Sequence, residues 1–191
     1  MPNWTILRFK NKGYKTWSII YDTTSYGDNC SKTMQNALEK ADGKVLSVDG
    51  VPVGTQDFRP ILSRLKTLDP SPQAVYFGGV VSEAALLRLQ MLEMGMDNYL
   101  YAGVTGFDSE TFNKTAGKAS EGTLIIGKKA IGKESAFVKA YEKAGYKAYY
   151  EATGPYAYDA TNLIIAAINK VGPNDKKLLA ETLRGMDYNG I

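Results

Sequence analysis

Short runs of β-branched and aromatic residues alternate along this chain with longer stretches whose apolar positions recur every three or four residues. A strand buried on both faces reads as a continuous apolar run and a surface helix shows a single apolar stripe, so the alternation predicts an α/β fold: βα units building a parallel sheet flanked by helices on both faces. Trp17-Ser18-Ile19-Ile20-Tyr21 predicts the first strand. After a polar turn from Thr23 to Gly27, the segment Asp28 to Ala41 places Met34, Ala37, Leu38 and Ala41 on one helical face, and Gly43 stops that helix. Lys44 to Val48 predicts the second strand, followed by a loop through Pro52 and Gly54 and a helix from Asp57 to Leu68 with Ile61, Leu62 and Leu65 inward. The prolines of Asp69-Pro70-Ser71-Pro72 disfavour helix in the residues before them and break the chain ahead of a third strand, Ala74 to Phe77.

Gly78-Gly79 then makes a sharp turn, and Ser82 is the expected N-cap of a helix through Gly95 that carries Leu86, Leu89, Gln90 and Met94 at helical spacing. Tyr99 to Ala102 predicts the fourth strand. The loop from Gly103 to Asp108 leads to a short helix ending near Gly117, and Gly122 to Ile126 predicts a further strand. Helices are expected over Glu134 to Ala144, Tyr156 to Val171 and Lys176 to Arg184, with no strand after them, so that the end at Tyr188-Asn189-Gly190-Ile191 reads as a truncation. Composition shifts at Glu151 to Pro155, where Thr153-Gly154-Pro155 is the expected linker or hinge.

Composition narrows the function. Hydrophobic residues make up 44% and charged residues 23% of the 191, which is ordinary globular material with a core large enough to fold without staples. The 23 Lys and Arg are interspersed with 20 Asp and Glu, and the longest cationic cluster, Lys128-Lys129, has no aromatic platform beside it, so nucleic acid is not the expected partner. No run approaches the ~20 apolar residues that cross a bilayer. Met1-Pro2-Asn3-Trp4 opens no signal peptide, so an exported parent is expected to have lost its leader upstream. Cys30 stands alone, which excludes an intrachain disulfide, and its expected role is a small packed helix residue.

The chain contains no histidine, which removes Ser-His-Asp and Cys-His nucleophilic sites and the imidazole ligands of most catalytic zinc centres. Asp22, Asp28 and Asp108 fall on separate predicted loops, with no spacing that forces a carboxylate pair. Gly122-Thr123-Leu124-Ile125-Ile126-Gly127-Lys128 has the letters of a phosphate-binding loop up to its lysine, yet Lys129 replaces the Ser or Thr. The four residues between its glycines also form a β-prone apolar run, where phosphate cradling needs a flexible loop. Three loops remain at the C-terminal ends of predicted strands, Asp22 to Gly27, Gly78 to Ser82 and Gly103 to Asp108, where open parallel sheets hold ligands. Each mixes glycine with hydroxyls or an aromatic ring and suits a small polar ligand. No cofactor and no metal are expected, and the reading is a binding protein rather than an enzyme.

In order and spacing these segments resemble the second lobe of the leucine/isoleucine/valine-binding proteins, the type I periplasmic solute-binding family served by ABC importers. The residues that carry the resemblance are Ile19-Ile20-Tyr21-Asp22 with Tyr26-Gly27, Asp57-Phe58 opening a helix, Val75-Tyr76-Phe77-Gly78-Gly79, Ala116-Gly117 with Glu121-Gly122, and Tyr156-Ala157-Tyr158-Asp159-Ala160. The resemblance implies that residues 1–150 form the second lobe and that 151–191 are a hinge and return helices belonging to a first lobe. It implies a periplasmic or extracellular location, a small amino acid or related organic acid as ligand, and an inner-membrane ABC permease as partner. Leu163, Ile164, Ala167 and Ile168 would give the return helices an apolar face, for which a second copy of the chain is a candidate occupant.

Carried over residue by residue, the resemblance makes Tyr26 the aromatic contact to the ligand and puts Gly79, Val80, Thr105 and Gly106 along the same wall. Tyr158 would face the ligand from the other lobe. Two positions depart from the family pattern: Val80 stands where an aromatic or polar contact is common, and Thr105 where an acid pairs with the ligand ammonium. A buried ammonium without a carboxylate costs several kcal/mol unless other acceptors replace it, so an organic acid becomes a candidate ligand beside the amino acid. The alternative function on this fold is a ligand-sensing domain of a receptor or regulator, and a third is a small flavodoxin-like enzyme, which the missing histidine disfavours.

Overall fold

The computed structural model describes residues 12–104, 107, 109–127, 132, 135–146 and 154–191. The chain divides into two compact units, Met1–Gly127 and Lys128–Ile191. This division falls ahead of the boundary that composition suggests at Glu151 to Pro155, and it groups the helix beginning at Ala136 with the two that follow it.

In the first unit the order is β1 (Thr16–Asp22), α1 (Ser25–Lys40), β2 (Lys44–Val51), α2 (Arg59–Lys66), β3 (Ala74–Gly78), α3 (Val81–Glu93), β4 (Leu100–Val104), α4 (Glu110–Ala116), a 3₁₀ turn (Gly117–Ser120) and β5 (Leu124–Ile126). The five strands form one sheet in the order β2-β1-β3-β4-β5, and every neighbouring pair is parallel. Side chains of a strand point alternately to its two faces, and here both faces are covered. Ile20, Val75, Phe77 and Tyr101 pack with Phe58, Leu62 and Leu65 near α2, Leu87 and Met91 of α3 and Phe112 of α4. Trp17, Ile19, Ala74, Tyr76 and Ala102 point the other way, against Met34, Ala37 and Leu38 of α1. Double-sided burial is the reason β1, apart from Ser18, and β3 read as apolar runs.

Among the element ends that differ from the sequence reading, those of α1 and α3 show a local cause. The helix expected from Asp28 begins at Ser25, because the Thr24 hydroxyl accepts the Gly27 N–H at 3.1 Å and caps it; Tyr26 and Gly27 therefore lie in a helical turn and not in a polar loop. Its stop is Asp42, in the left-handed conformation at φ 56°, after which the Gly43 N–H bonds to Leu38 O at 2.8 Å. The cap position of α3 is Val80 and not Ser82, whose hydroxyl instead donates to Glu83 at 2.5 Å. Glu83 accepts the backbone N–H of Gly54 at 2.7 Å and so ties the loop after β2 to α3.

A second polar tie explains the shortened start of α2. Gln90 is buried, takes the Phe58 N–H at 2.7 Å and donates to Gln56 O at 2.8 Å, holding the segment before α2 against α3. On the far edge, buried Arg88 donates to Ala119 O at 2.8 Å and lies over the Tyr101 ring, which brings the 3₁₀ turn into place ahead of β5. β5 occupies the middle of the run that resembles a phosphate loop, so those residues form a strand and not a cradle.

The second unit holds α5 (Ala136–Lys143), α6 (Gly154–Val171) and α7 (Lys176–Arg184). Asp175 caps α7 by accepting the N–H groups of Lys177 and Leu178 at 3.0 and 2.9 Å. On α6 Ala167 is buried, Leu163 and Ile168 are half-buried, and Ile164 and Ile165 are exposed.

Candidate functional site

All five strands end along one edge, at Val51, Asp22, Gly78, Val104 and Ile126. The chain leaves β1 toward β2 on one flank and returns to β3 on the other, so the connections after β1 and β3 diverge and leave a crevice between them. That switch point is where open α/β sheets bind ligands.

Asp22 lies at the centre of it. Its side chain is fully buried, and Oδ1 accepts the Thr24 N–H at 3.1 Å and, in a short contact, the Thr24 hydroxyl. The same threonine caps α1, so one carboxylate aligns the first turn of the helix. Oδ2 has no hydrogen-bond partner among the described residues and faces Gly79, where a Cβ would sit 2.7 Å away. At Gly27 a Cβ would meet Asp22 O at 2.2 Å and Gly78 O at 2.8 Å. The helix start, the strand end and the glycine turn thus touch backbone to backbone, and no larger residue fits between them.

This packing presents two apolar side chains at the crevice. Tyr26 is 51% exposed and Val80 42%. The structure therefore brings Tyr26, Gly79 and Val80 together at the switch point. Thr105, Gly106 and Asp108 lie outside the described residues; Val104 before them ends β4, and Phe107 between them is buried in the core. Tyr158 belongs to the second unit, on α6, with its ring edge against Phe137 at 5.3 Å. Asp28, the expected first residue of that helix, lies within α1 and pairs with Lys32 at 2.7 Å.

Sequence reasoning did not find the group beneath Tyr26. Cys30 follows it by one helical turn on α1 and, with buried Tyr76 of β3, lines a small cavity. The i, i+4 spacing was a usable signal once α1 is known to begin at Ser25. That cavity is apolar and of about 170 Å³, and Thr33, Met34, Val104 and Ile126 also line it. Burial, with Cys30 and Asp22 adding to it, pushes the Tyr26 hydroxyl up to about 12. Burial likewise raises Tyr76, and it raises the Cys30 thiol against the opposing pull of the two tyrosines.

These raised tyrosines set an alkaline limit. Above about pH 10 an unfolded tyrosine releases its proton while the folded Tyr26 and Tyr76 retain theirs, so their contribution is complete below that pH and is lost as pH rises through the folded values. The urea midpoint is expected to fall steadily from about pH 10 upward, and Tyr76→Phe is expected to flatten that fall. A midpoint with the same pH slope in wild type and Tyr76→Phe would show that Tyr76 contributes nothing to it.

The parallel five-stranded sheet, packed on both faces and ordered β2-β1-β3-β4-β5, places the first unit in the doubly wound α/β class. The periplasmic binding protein family model matches residues 5–191. The leucine-, isoleucine-, valine-, threonine-, and alanine-binding protein of Pseudomonas aeruginosa is 31% identical over 187 residues, covering 95% of this chain and 48% of that protein. Leu/Ile/Val-binding protein homolog 2 of Brucella abortus is 29% identical over 174 residues, 87% of this chain and 44% of that protein. The solved structure of the leucine-binding protein LivK from Thermotoga maritima matches with a TM-score of 0.82 at 26% identity, over 99% of this chain and 55% of that one. The chain belongs to the periplasmic binding protein family, in the type I branch of the branched-chain amino acid-binding proteins. It spans about half the length of the curated relatives it matches.

Proposed function

We propose that this chain supplies one wall of a two-walled cleft in an exported solute-binding component of an ABC importer, and that the solute is a small amino acid or related organic acid. The observation that carries the reading is the exposed pair Tyr26 and Val80 above the buried Asp22 junction at the switch point. Residues 1–150 form the wall, and residues 151–191 are the hinge and return toward a facing lobe, with Tyr158 on that side. Solute bridging both walls shifts the population toward a closed form, which an inner-membrane permease recognises. The ring of Tyr26 covers apolar atoms of the solute. Thr105 puts no carboxylate where the family pattern pairs one with an ammonium, which favours a solute whose only charge is a carboxylate.

A single wall makes half the contacts. Calorimetric titration of the 191-residue chain with L-leucine, L-isoleucine or benzoate is therefore expected to show no micromolar binding, whereas a two-lobed form binds one of them and loses roughly tenfold or more in affinity on Tyr26→Ala, ~1.4 kcal/mol. Micromolar affinity of the chain alone would overturn the one-wall reading. Tight leucine binding by the two-lobed form, indifferent to Thr105→Ala, would overturn the preference for an organic acid.

A further inference from the structure

Four aromatic rings of the second unit form a continuous row. Tyr158 of α6 meets Phe137 of α5 edge to face at 5.3 Å, Phe137 lies 5.7 Å from Tyr141 on the same helix, and Tyr141 lies 5.1 Å from Tyr146, just past the end of α5. The i, i+4 spacing of Phe137 and Tyr141 puts both rings on one helical face. Tyr146 and Tyr158, at the two ends of the row, are 62% and 51% exposed. Contiguous rings left open to solvent mark a binding surface and not a core. The row borders a cavity of about 730 Å³, the size of a small-molecule site, and Tyr188 adds a fifth ring to its lining.

The charge at this cavity has one sign. Asp159 lines it, and no lysine or arginine is among the described residues that do. The carboxylate is fixed in place by the last residues of the chain: the Ile191 N–H donates to Oδ1 at 3.2 Å and to Oδ2 at 3.0 Å, and a Cβ on Gly190 would stand 2.2 Å from Oδ2. One amide donor does not neutralise a carboxylate, and no salt bridge to Asp159 forms among the described residues, so its negative charge stays at the wall. Ring faces attract a cation through their quadrupole and the carboxylate attracts it by charge, so both features select the same kind of ligand. A primary ammonium brings three N–H donors that each need an acceptor, whereas a quaternary ammonium presents methyl groups that rings cover without a hydrogen bond.

We propose that this cavity is a second binding site, for a small quaternary ammonium or similarly alkylated amine, whose methyl groups lie on the aromatic row while Asp159 supplies the counter-charge. The proposal goes beyond the solute-cleft reading and stands without it. Tyr158 alone is common to both, so the variants that test it are at Tyr146 and Asp159.

The 191-residue chain with labelled tyrosine ring carbons is titrated with tetramethylammonium chloride and, separately, with tert-butanol, an uncharged molecule of similar shape, at ionic strength held constant with sodium chloride. Tetramethylammonium is expected to give saturable shifts of the Tyr146 and Tyr158 ring signals, with an affinity roughly tenfold above that of tert-butanol. Asp159→Asn keeps a carbonyl oxygen for the Ile191 N–H and removes only the charge; it is expected to weaken tetramethylammonium roughly fivefold and to leave tert-butanol unchanged. Tyr146→Leu is expected to weaken tetramethylammonium roughly threefold, with the amide spectrum of α6 intact. Equal affinity for the two probes overturns the proposal, as does the absence of shifts with tetramethylammonium in the folded chain. An Asp159→Asn protein that binds tetramethylammonium as wild type does overturns it as well.

Discussion

Phe107→Ala is expected to cost about 4 kcal/mol of folding stability, the upper range for removal of a buried ring, read as a drop in urea midpoint at unchanged slope. The ring is 1% exposed although it sits in the connection after β4. It stacks on Phe112 at 5.0 Å and on Tyr101 at 5.8 Å, and lies 6.4 Å from Phe77. Space for it exists because residue 103 is glycine, where a Cβ would be 1.9 Å from the Phe107 ring. Truncation leaves a hole bordered by two strands and a helix, none of which can move inward without breaking the sheet register, so the cavity term adds to the lost burial. Phe107→Leu keeps most of the apolar area and is expected to cost about 1.5 kcal/mol. A loss below about 1 kcal/mol for Phe107→Ala would mean that this connection is not seated in the core.

The same residue shows where sequence reasoning ran out. Gly103 to Asp108 has the composition of a surface loop, and its glycines and hydroxyls suggest a ligand; only the packing of Phe77, Tyr101 and Phe112 around it makes Phe107 a core residue. β1 and β3 were legible because burial on both faces leaves a run that is apolar but for Ser18, and α7 because Asp175 caps it locally. β2 runs on to Val51 by pairing with Asp22, which no periodicity within the strand reveals. The start of α1 was missed at Thr24, a residue of capping type, because the glycine three positions later looks like a turn. Ser82 likewise has the chemistry of a cap, but Glu83 takes its hydroxyl while binding Gly54 from another loop.

Of the candidate site, the resemblance named Tyr26, Gly79 and Val80, which stand beside the ends of β1 and β3. It did not expose the arrangement beneath them, because the buried Asp22 junction and the Tyr26, Cys30 and Tyr76 cluster each join residues that are remote in sequence or belong to a helical turn that composition disguises. A carboxylate with one bonded and one unpaired oxygen is costly to bury, and its place between Gly27 and Gly79 explains why both positions lack side chains.

Gly27→Ala therefore has an expected sign opposite to helix propensity. Within a helix the change from glycine to alanine stabilises by about 1 kcal/mol. Here the new methyl would lie 2.2 Å from Asp22 O, 2.5 Å from Asp22 Oδ1 and 2.8 Å from Gly78 O. Two of these are backbone oxygens at the ends of adjacent sheet strands, so relief requires α1 to lift from the edge of the sheet. Overpacking of that kind costs about 3 kcal/mol, which leaves a net loss of about 2 kcal/mol. Lifting α1 also moves Tyr26 and loosens the Thr24 cap, so the variant is expected to shift the amide resonances of Gly78 and Gly79 and to abolish solute binding in a two-lobed form, while residues 176–184 of α7 keep their wild-type shifts. A Gly27→Ala protein more stable than wild type would mean that the helix does not rest on the strand ends, and the wall built on that contact would be lost with it.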